Sequence, residues 1–214
     1  MEKFGNITLY NDDCMNVMKT FNDNQFDLAI VDPPYGIGQN WRKDKNAKFH
    51  KHRNNFNNKI PDKDYFDELF RVSKFQIIWG ANYYFNYLSP TNNLVFWDKG
   101  KDTKTQLGSA GELAWTNIKK YPLIKIDLTW NGCCVCENVE RIHPHQKPIK
   151  LYKWLLQNYA IDGYKILDTH FGSLSIGIAC HDLGFELTAI ELDEDYYEAG
   201  KNRLINHQRQ LNLF

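Results

Sequence analysis

From Pro148 onward the chain alternates between amphipathic stretches of helix length and apolar stretches of strand length, and few architectures accept that alternation. Ile149 to Tyr159 carries apolar residues at helical spacing, with Pro148 at its first turn. Tyr164 to Leu167 reads as a strand that stops at Asp168. A turn through Gly172 then enters a helix from Ser173 to Leu183, which Gly184 ends. Glu186 to Ile190 is a second strand, stopping at Glu191, and Asp193 opens a last helix towards Gln208. Strands joined through helices predict an open, mostly parallel sheet covered on both faces, a Rossmann-like doubly wound α/β fold.

The first half fits the same sheet. A strand is expected at Ile7 to Tyr10, then a short helix from Cys14 to Phe21. Phe26 to Val31 is nearly all apolar and ends at Asp32, as a buried parallel strand would. Asp62 to Val72 reads as a helix, Phe75 to Trp79 and Leu94 to Trp97 as strands, and Asn82 to Leu88 as a short helix. Residues 99–142 are mixed, with strands expected at Glu112 to Thr116 and Asp127 to Trp130, and read as a small insert. The 214 residues therefore suit a single domain, 1–214.

Two local patterns carry chemistry. The first is the pair of acidic strand ends. Ligands of doubly wound sheets bind at the carboxyl ends of strands, and an acid about twenty residues after the glycine turn is placed to hold two ribose hydroxyls. Glu191 has that position. Asp168 faces a positive group, for which the ammonium of a methionine moiety is suited. A pyrophosphate is not, because no G-x-G-x-x-G is complete. An ordinary βαβ unit with a capped turn would show the same segment. The second pattern is Asp32-Pro33-Pro34-Tyr35, directly after a buried strand. Two prolines stiffen a turn and remove competing N–H donors. The Asp32 carboxylate and the Pro33 carbonyl then offer two acceptors to an exocyclic amine, whose lone pair is otherwise delocalised into its ring. Tyr35 offers a flat face for stacking on a base, and the base must leave its helix to reach it.

These residues resemble the amino-methyltransferases of DNA, which make N6-methyladenine or N4-methylcytosine. Their catalytic motif, [D/N/S]-P-P-[Y/F/W], is matched at Asp32-Pro33-Pro34-Tyr35, and an acidic first position is the form typical of adenine enzymes. Their cofactor motif resembles D-P-F-x-G-S-G; here Asp168, Gly172 and Ser173 match, and Leu174 stands where a second glycine is usual. The catalytic motif comes first, as in the circularly permuted β group. That group also has H-P-x-x-K-P, here His143-Pro144-His145-Gln146-Lys147-Pro148, and an N-terminal D-C, here Asp13-Cys14. Trp79-Gly80-Ala81-Asn82-Tyr83 and Trp97-Asp98-Lys99 look like segments of small members, often from phages.

The resemblance implies S-adenosylmethionine as cofactor and DNA as partner. Asp168 would bind the methionine amine, Lys147 the methionine carboxylate, Glu191 the ribose and Asp13 the adenine amine. Gly172 and Ser173 would line the cofactor loop. Residues 99–142 become the candidate target-recognition insert. The activity implied is N6-adenine methylation at a specific DNA site. Methylation of cytosine N4, RNA or a protein amide stays open, as does an inactive nucleic-acid-binding relative. A homodimer and a partner restriction nuclease are both compatible with the chain.

Charge adds to this reading locally. The formal net charge is zero, so no global field attracts a polyanion. Residues 39–60, however, hold seven basic residues against one acid, a net charge of about +6. Trp41, Arg42, Lys43, Lys45, Lys48, Lys51 and Arg53 in this stretch are the expected DNA contacts, on a mobile loop. A solvated loop with no ligand is the plainer alternative. No apolar run has membrane length and the N-terminus has no signal-peptide pattern, so no membrane partner is expected. The five cysteines follow no disulfide spacing, which suits reduced thiols in the cytoplasm of a prokaryotic or phage-infected cell. Cys133, Cys134 and Cys136, with His143 and His145, match no strong zinc pattern, and no metal is expected.

Overall fold

The computed structural model describes residues 1–36, 59–101, 109–130, 137 and 140–211. The expected DNA contacts Trp41, Arg42, Lys43, Lys45, Lys48, Lys51 and Arg53 lie outside these residues, as do Cys133, Cys134 and Cys136.

The strands are β1 Glu2–Phe4, β2 Ile7–Asn11, β3 Phe26–Val31, β4 Ser73–Trp79, β5 Leu94–Asp98, β6 Gly111–Thr116, β7 Leu123–Asp127, β8 Lys165–Asp168 and β9 Glu186–Glu191. The helices are α1 Cys14–Met18, α2 Lys63–Val72, α3 Ala81–Tyr84, α4 Ile149–Tyr159, α5 Ser175–Leu183 and α6 Glu194–Leu211. All nine strands join one sheet in the order β1-β2-β9-β8-β3-β4-β6-β5-β7. From β2 to β4 the neighbours are parallel, whereas β6 runs antiparallel to both β4 and β5.

Alternation along the central strands builds a three-layer molecule. Leu28 and Ile30 of β3 join Ile166, Leu187 and Ala189 on the face covered by Leu151, Leu155, Ile178 and Leu204 of α4, α5 and α6. Ala29 and Val31 face the other way, onto Val17, Phe66 and Leu69 of α1 and α2, with Tyr84 of α3. Strands buried on both faces read as continuous apolar runs, which is why FDLAIV gave no period-two signal.

The permuted order has a direct structural form. β2, near the N-terminus, lies parallel to β9, with Asn11 opposite Glu191, so Asp13 reaches the carboxyl edge beside Glu191. β8 and β3 are adjacent, yet the chain runs outward in opposite directions from them, to β9 and β4. The crevice between their carboxyl ends is the switch point at which such sheets bind ligands. Asp32 and Asp168 stand on its two sides.

Helix starts follow capping chemistry. The Asp13 and Asp62 carboxylates accept from Met15 N and Tyr65 N. Two expected elements shift. The strand anticipated at Asp127 to Trp130 ends at Asp127 and begins at Leu123, because its register on β5 pairs Leu94 with Leu123. The helix anticipated at Asn82 to Leu88 is the single turn of α3. Within residues 99–142, β6 and β7 are strands of the main sheet.

Candidate active site

Asp32-Pro33-Pro34-Tyr35 leaves the carboxyl end of β3, and a side chain from α3 fixes its course. The Tyr84 hydroxyl lies 2.6 Å from both the Pro33 and the Pro34 carbonyl oxygens and donates to this pair. Tyr84 is fully buried and belongs to a helix that starts at Gly80. Gly80 has φ 74°, and a Cβ there would lie 2.2 Å from Tyr35 Cε1. Only glycine allows α3 to sit this close to the Tyr35 ring. Tyr83, also on α3, stacks on that ring at 4.9 Å between centroids and 12° between planes. The Tyr35 hydroxyl donates to Asp32 Oδ1 at 2.5 Å, so ring and carboxylate orient each other. Burial, and then the Asp32 and Glu112 carboxylates, push the Tyr35 phenol well above its ordinary pKa, which keeps it a donor.

Asp32 Oδ2 accepts from the Lys147 ammonium, which also lies 2.9 Å from Glu112 Oε2. The Lys147 side chain is only 3% exposed. Burial opposes its charge, but Asp32 and Glu112 outweigh burial and raise its pKa. The other Glu112 oxygen pairs with Lys99. Burial works against the Glu112 charge too, and the two lysines outweigh it, lowering its pKa. The result is an Asp32–Lys147–Glu112–Lys99 chain of alternating charge. The antiparallel course of β6 explains why Glu112 is present. Near the start of β6 it stands at the same edge where β3, β4 and β5 end, and it faces Trp97 across the β5 pairing.

The other side of the crevice is built differently. Asp168 is 1% exposed and accepts from His170 N at 3.0 Å. Among the described residues no lysine or arginine pairs with it. Burial raises its pKa to about 8; the His170 N–H opposes this, and the negative charges of Asp32 and Glu191 add to it. Glu191 accepts from Gly172 N at 2.8 Å and Asp193 N at 3.0 Å. Burial still lifts it to about 7, against those two N–H groups. Gly172 has φ 50°, and a Cβ would come within 3.2 Å of the His143 ring. His143 of the H-P-x-x-K-P segment thus packs on the cofactor-motif loop. His170 is half-buried; desolvation lowers its imidazole to about 4, and the ring is linked through Thr169 Oγ1 to the Tyr65 hydroxyl.

The expected residues therefore converge on one edge of the sheet. Asp32, Tyr35 and Lys147 are in contact, and Asp168, Glu191, Gly172, Ser173 and Asp13 lie at the ends of β8, β9 and β2. Lys147, expected at the cofactor's carboxylate, is held by Asp32 and Glu112. Leu174 adopts the left-handed conformation of the glycine it replaces, at φ 56° and ψ 31°, with its side chain fully buried. Sequence reasoning gave no site role to Tyr84 or Glu112, nor to Gly80 and Lys99, which it noted only within family-like segments, nor to Arg203, whose guanidinium donates to Ser173 O at 2.8 Å and Ser175 Oγ at 2.9 Å. A lone acid in the apolar G-E-L-A-W-T run was the one available signal for Glu112. Among the described residues no group of three or more His, Cys, Asp and Glu side chains is arranged to hold a metal, and no helix is long and apolar enough to cross a membrane.

Residues 49–202 match the N6_N4_Mtase family, described as DNA methylase, and the chain belongs to that family. YubD of Escherichia coli (strain K12), which carries a methylase name, is 28% identical over 215 residues, 93% of this chain and 90% of that protein. The M1.HpyAVI–SAM complex shares the fold at a TM-score of 0.61 and 16% identity, covering 92% of this chain and 100% of that one. The cytosine-N4-specific PvuII DNA methyltransferase does so at 0.61 and 14%, covering 98% and 97%. The protein is a DNA methyltransferase of the N6/N4 family.

Proposed function

We propose that this enzyme methylates the N6 amino group of adenine in DNA, at a specific site, with S-adenosylmethionine as methyl donor. One observation carries the reading. An aspartate heads the P-P-Y turn at the switch-point crevice, locked by Tyr35 and Lys147, opposite a buried carboxylate with which, among the described residues, no lysine or arginine pairs.

The residues present fit the cofactor. A carboxyl raised to about 8 by burial takes up a proton unless a cation reaches it, and the methionine ammonium of S-adenosylmethionine is such a cation. Glu191 spends both oxygens on backbone N–H groups and keeps lone pairs for ribose hydroxyls. Asp13, at the β2 end beside Glu191, suits the adenine amine, and Gly172 and Ser173 line the loop between. When bound, S-adenosylmethionine supplies an electrophilic methyl group on a sulfonium.

The protein's own work is positioning. Asp32 keeps unused lone pairs on both oxygens, and the Pro33 carbonyl keeps one beside its bond from Tyr84. Both can accept from the exocyclic amine and draw its nitrogen towards sp³ character. That nitrogen then bonds to the methyl carbon, the methyl–sulfur electron pair stays on sulfur, and one N–H proton leaves to solvent. Orienting two bound reactants is the main catalytic contribution. Tyr35 stacks on the flipped base, and the basic residues from Arg42 to Arg53 grip the backbone phosphates. Residues 99–142 contribute target recognition.

The test is Asp32→Ala. Methylation of plasmid DNA, read as N6-methyldeoxyadenosine after digestion to nucleosides, should fall below detection. Calorimetry should show cofactor affinity within about threefold of the parent. Retained methylation would refute the role of Asp32. A second reading, methylation of cytosine N4, is favoured by the fold shared with the PvuII enzyme. The same digest decides, since N4-methyldeoxycytidine would appear in place of N6-methyldeoxyadenosine.

A further inference from the structure

Glu112 belongs to none of the sequence motifs, yet it is the second partner of the lysine that holds Asp32. We propose that Glu112 is a positioning residue for methyl transfer: by sharing Lys147 with Asp32, it keeps the ammonium from neutralising the negative field that Asp32 presents to the amine. The proposal rests on the reading of Asp32 as the amine's acceptor.

The argument is a count of charges in a place where water screens little. Asp32 and Glu112 each carry one negative charge, and the Lys147 ammonium lies between them with its side chain 3% exposed. Without Glu112, Lys147 would belong to Asp32 alone, and Asp32, Lys147 and Lys99 together would carry a net charge of plus one. The nitrogen being methylated gains positive charge and would meet no compensating field. With Glu112 in place, Asp32, Lys147, Glu112 and Lys99 together are neutral, and Asp32 is the negative end of the chain nearest the β3–β8 crevice. Lys99 takes the outer oxygen of Glu112, which fixes the inner oxygen towards Lys147 and the Tyr35 hydroxyl, 3.3 Å away. Trp79 walls the lysine in, with the ammonium 5.5 Å from its ring centroid. The ammonium therefore has little freedom to turn elsewhere, and Glu112 determines how closely it is drawn to Asp32.

The experiment is steady-state kinetics at saturating cofactor and DNA on Glu112→Gln, Glu112→Asp, Lys147→Met and the double variant Glu112→Gln/Lys147→Met. Folding is checked by circular dichroism and cofactor affinity by calorimetry. Glu112→Gln should lower kcat at least tenfold with the cofactor Kd within about twofold. Glu112→Asp, which keeps the charge, should retain at least fivefold more activity than Glu112→Gln. Removing the uncompensated lysine should then help, so the double variant should exceed Glu112→Gln in kcat, a rescue that a merely structural residue would not give. Wild-type kcat in Glu112→Gln, or a double variant slower than Glu112→Gln, overturns the proposal. Should Glu112→Gln fail to fold, the double variant is compared with Lys147→Met. A rate equal to or above Lys147→Met upholds action through the lysine, and a further fall overturns it. Activity in Asp32→Ala would instead sink the underlying reading, so the two failures are separable.

Discussion

Asp32 and Asp168 stand at the carboxyl ends of neighbouring parallel strands, the first partly and the second fully buried, and their surroundings are opposite. Asp32 accepts from a tyrosine hydroxyl and a lysine, and the lysine is shared with a second carboxylate that has a lysine of its own. Asp168 accepts a single backbone N–H, and Glu191 beside it accepts two. Burying a charge is costly unless it is paired. The β3–β4–β6 side resolves this within the protein. The β8–β9–β2 side leaves it to be resolved by what binds there. One half of the crevice is finished before any ligand arrives, as a site that orients a neutral amine should be. The other half has carboxyl groups raised to about 8 and about 7, as a site awaiting a cation and a polyol should have.

The contrast breaks most visibly at Lys147. Lys147→Met removes the cation and leaves Asp32 and Glu112 facing each other in a poorly solvated pocket. Removing one member of a buried ion pair costs about 3–5 kcal/mol. Denaturant unfolding should show a loss of that order at neutral pH. A loss below about 1 kcal/mol would mean that the catalytic half does not depend on its own cation, and the comparison would fail on that side.

The opposite substitution tests the other half. Asp168→Asn removes the acid that, among the described residues, pairs with no lysine or arginine. Its cofactor affinity should drop by about 100-fold, which is roughly 2.7 kcal/mol. Its stability should move the other way at alkaline pH. The Asp168 pKa rises from an ordinary 3.8 to about 8 on folding, so the folded state holds more protons between those values. Free wild-type protein therefore loses stability as pH climbs from about 4 to about 8. In Asp168→Asn that part of the slope disappears, and melting at pH 8 should occur above wild type. Cofactor binding by wild type, which needs the carboxylate, should strengthen towards pH 8 by up to about tenfold per pH unit. A pH-independent affinity over that range would remove the distinction between the two carboxylates.

The same contrast explains what could be read from the chain beforehand. Asp32, Asp168 and Glu191 were legible because each ends an apolar run, and a run's end is a local property. Helix α4, bounded by Pro148 and Ala160, was legible to the residue for the same reason. Glu112, Lys99 and Tyr84 were not. Their partners lie far off in sequence, and the contacts depend on β6 entering antiparallel between β4 and β5. No periodicity announces a strand order. The displaced β7 has the same origin, since its register is set by β5 and not by its own residues. The cofactor half, built from consecutive elements β8, α5 and β9, was more legible than the catalytic half, which draws on β3, α3, β5, β6 and the segment before α4.

The smallest effect should come from Leu174, which stands where the cofactor motif usually has a second glycine. A leucine in the left-handed region costs roughly 1–2 kcal/mol relative to ordinary backbone. Its side chain is nevertheless fully buried, in space that two glycines leave open. A Cβ on Gly177 would lie 2.7 Å from Leu174 Cγ, and one on Gly200 would lie 3.1 Å from Leu174 Cβ. The loop thus keeps a left-handed turn at Leu174 and places its side chain in the core. Leu174→Gly relieves the strain but empties the space, and large-to-small core changes cost about 2–5 kcal/mol. The net should be a destabilisation of about 1–3 kcal/mol by denaturant unfolding. Cofactor affinity should change less than about threefold, because the bond from Gly172 N to Glu191 does not involve the leucine side chain. A tenfold change in affinity would place Leu174 in the ligand site. A gain in stability would show that its burial does not offset its backbone conformation, and the loop would then be strained for binding and not for packing.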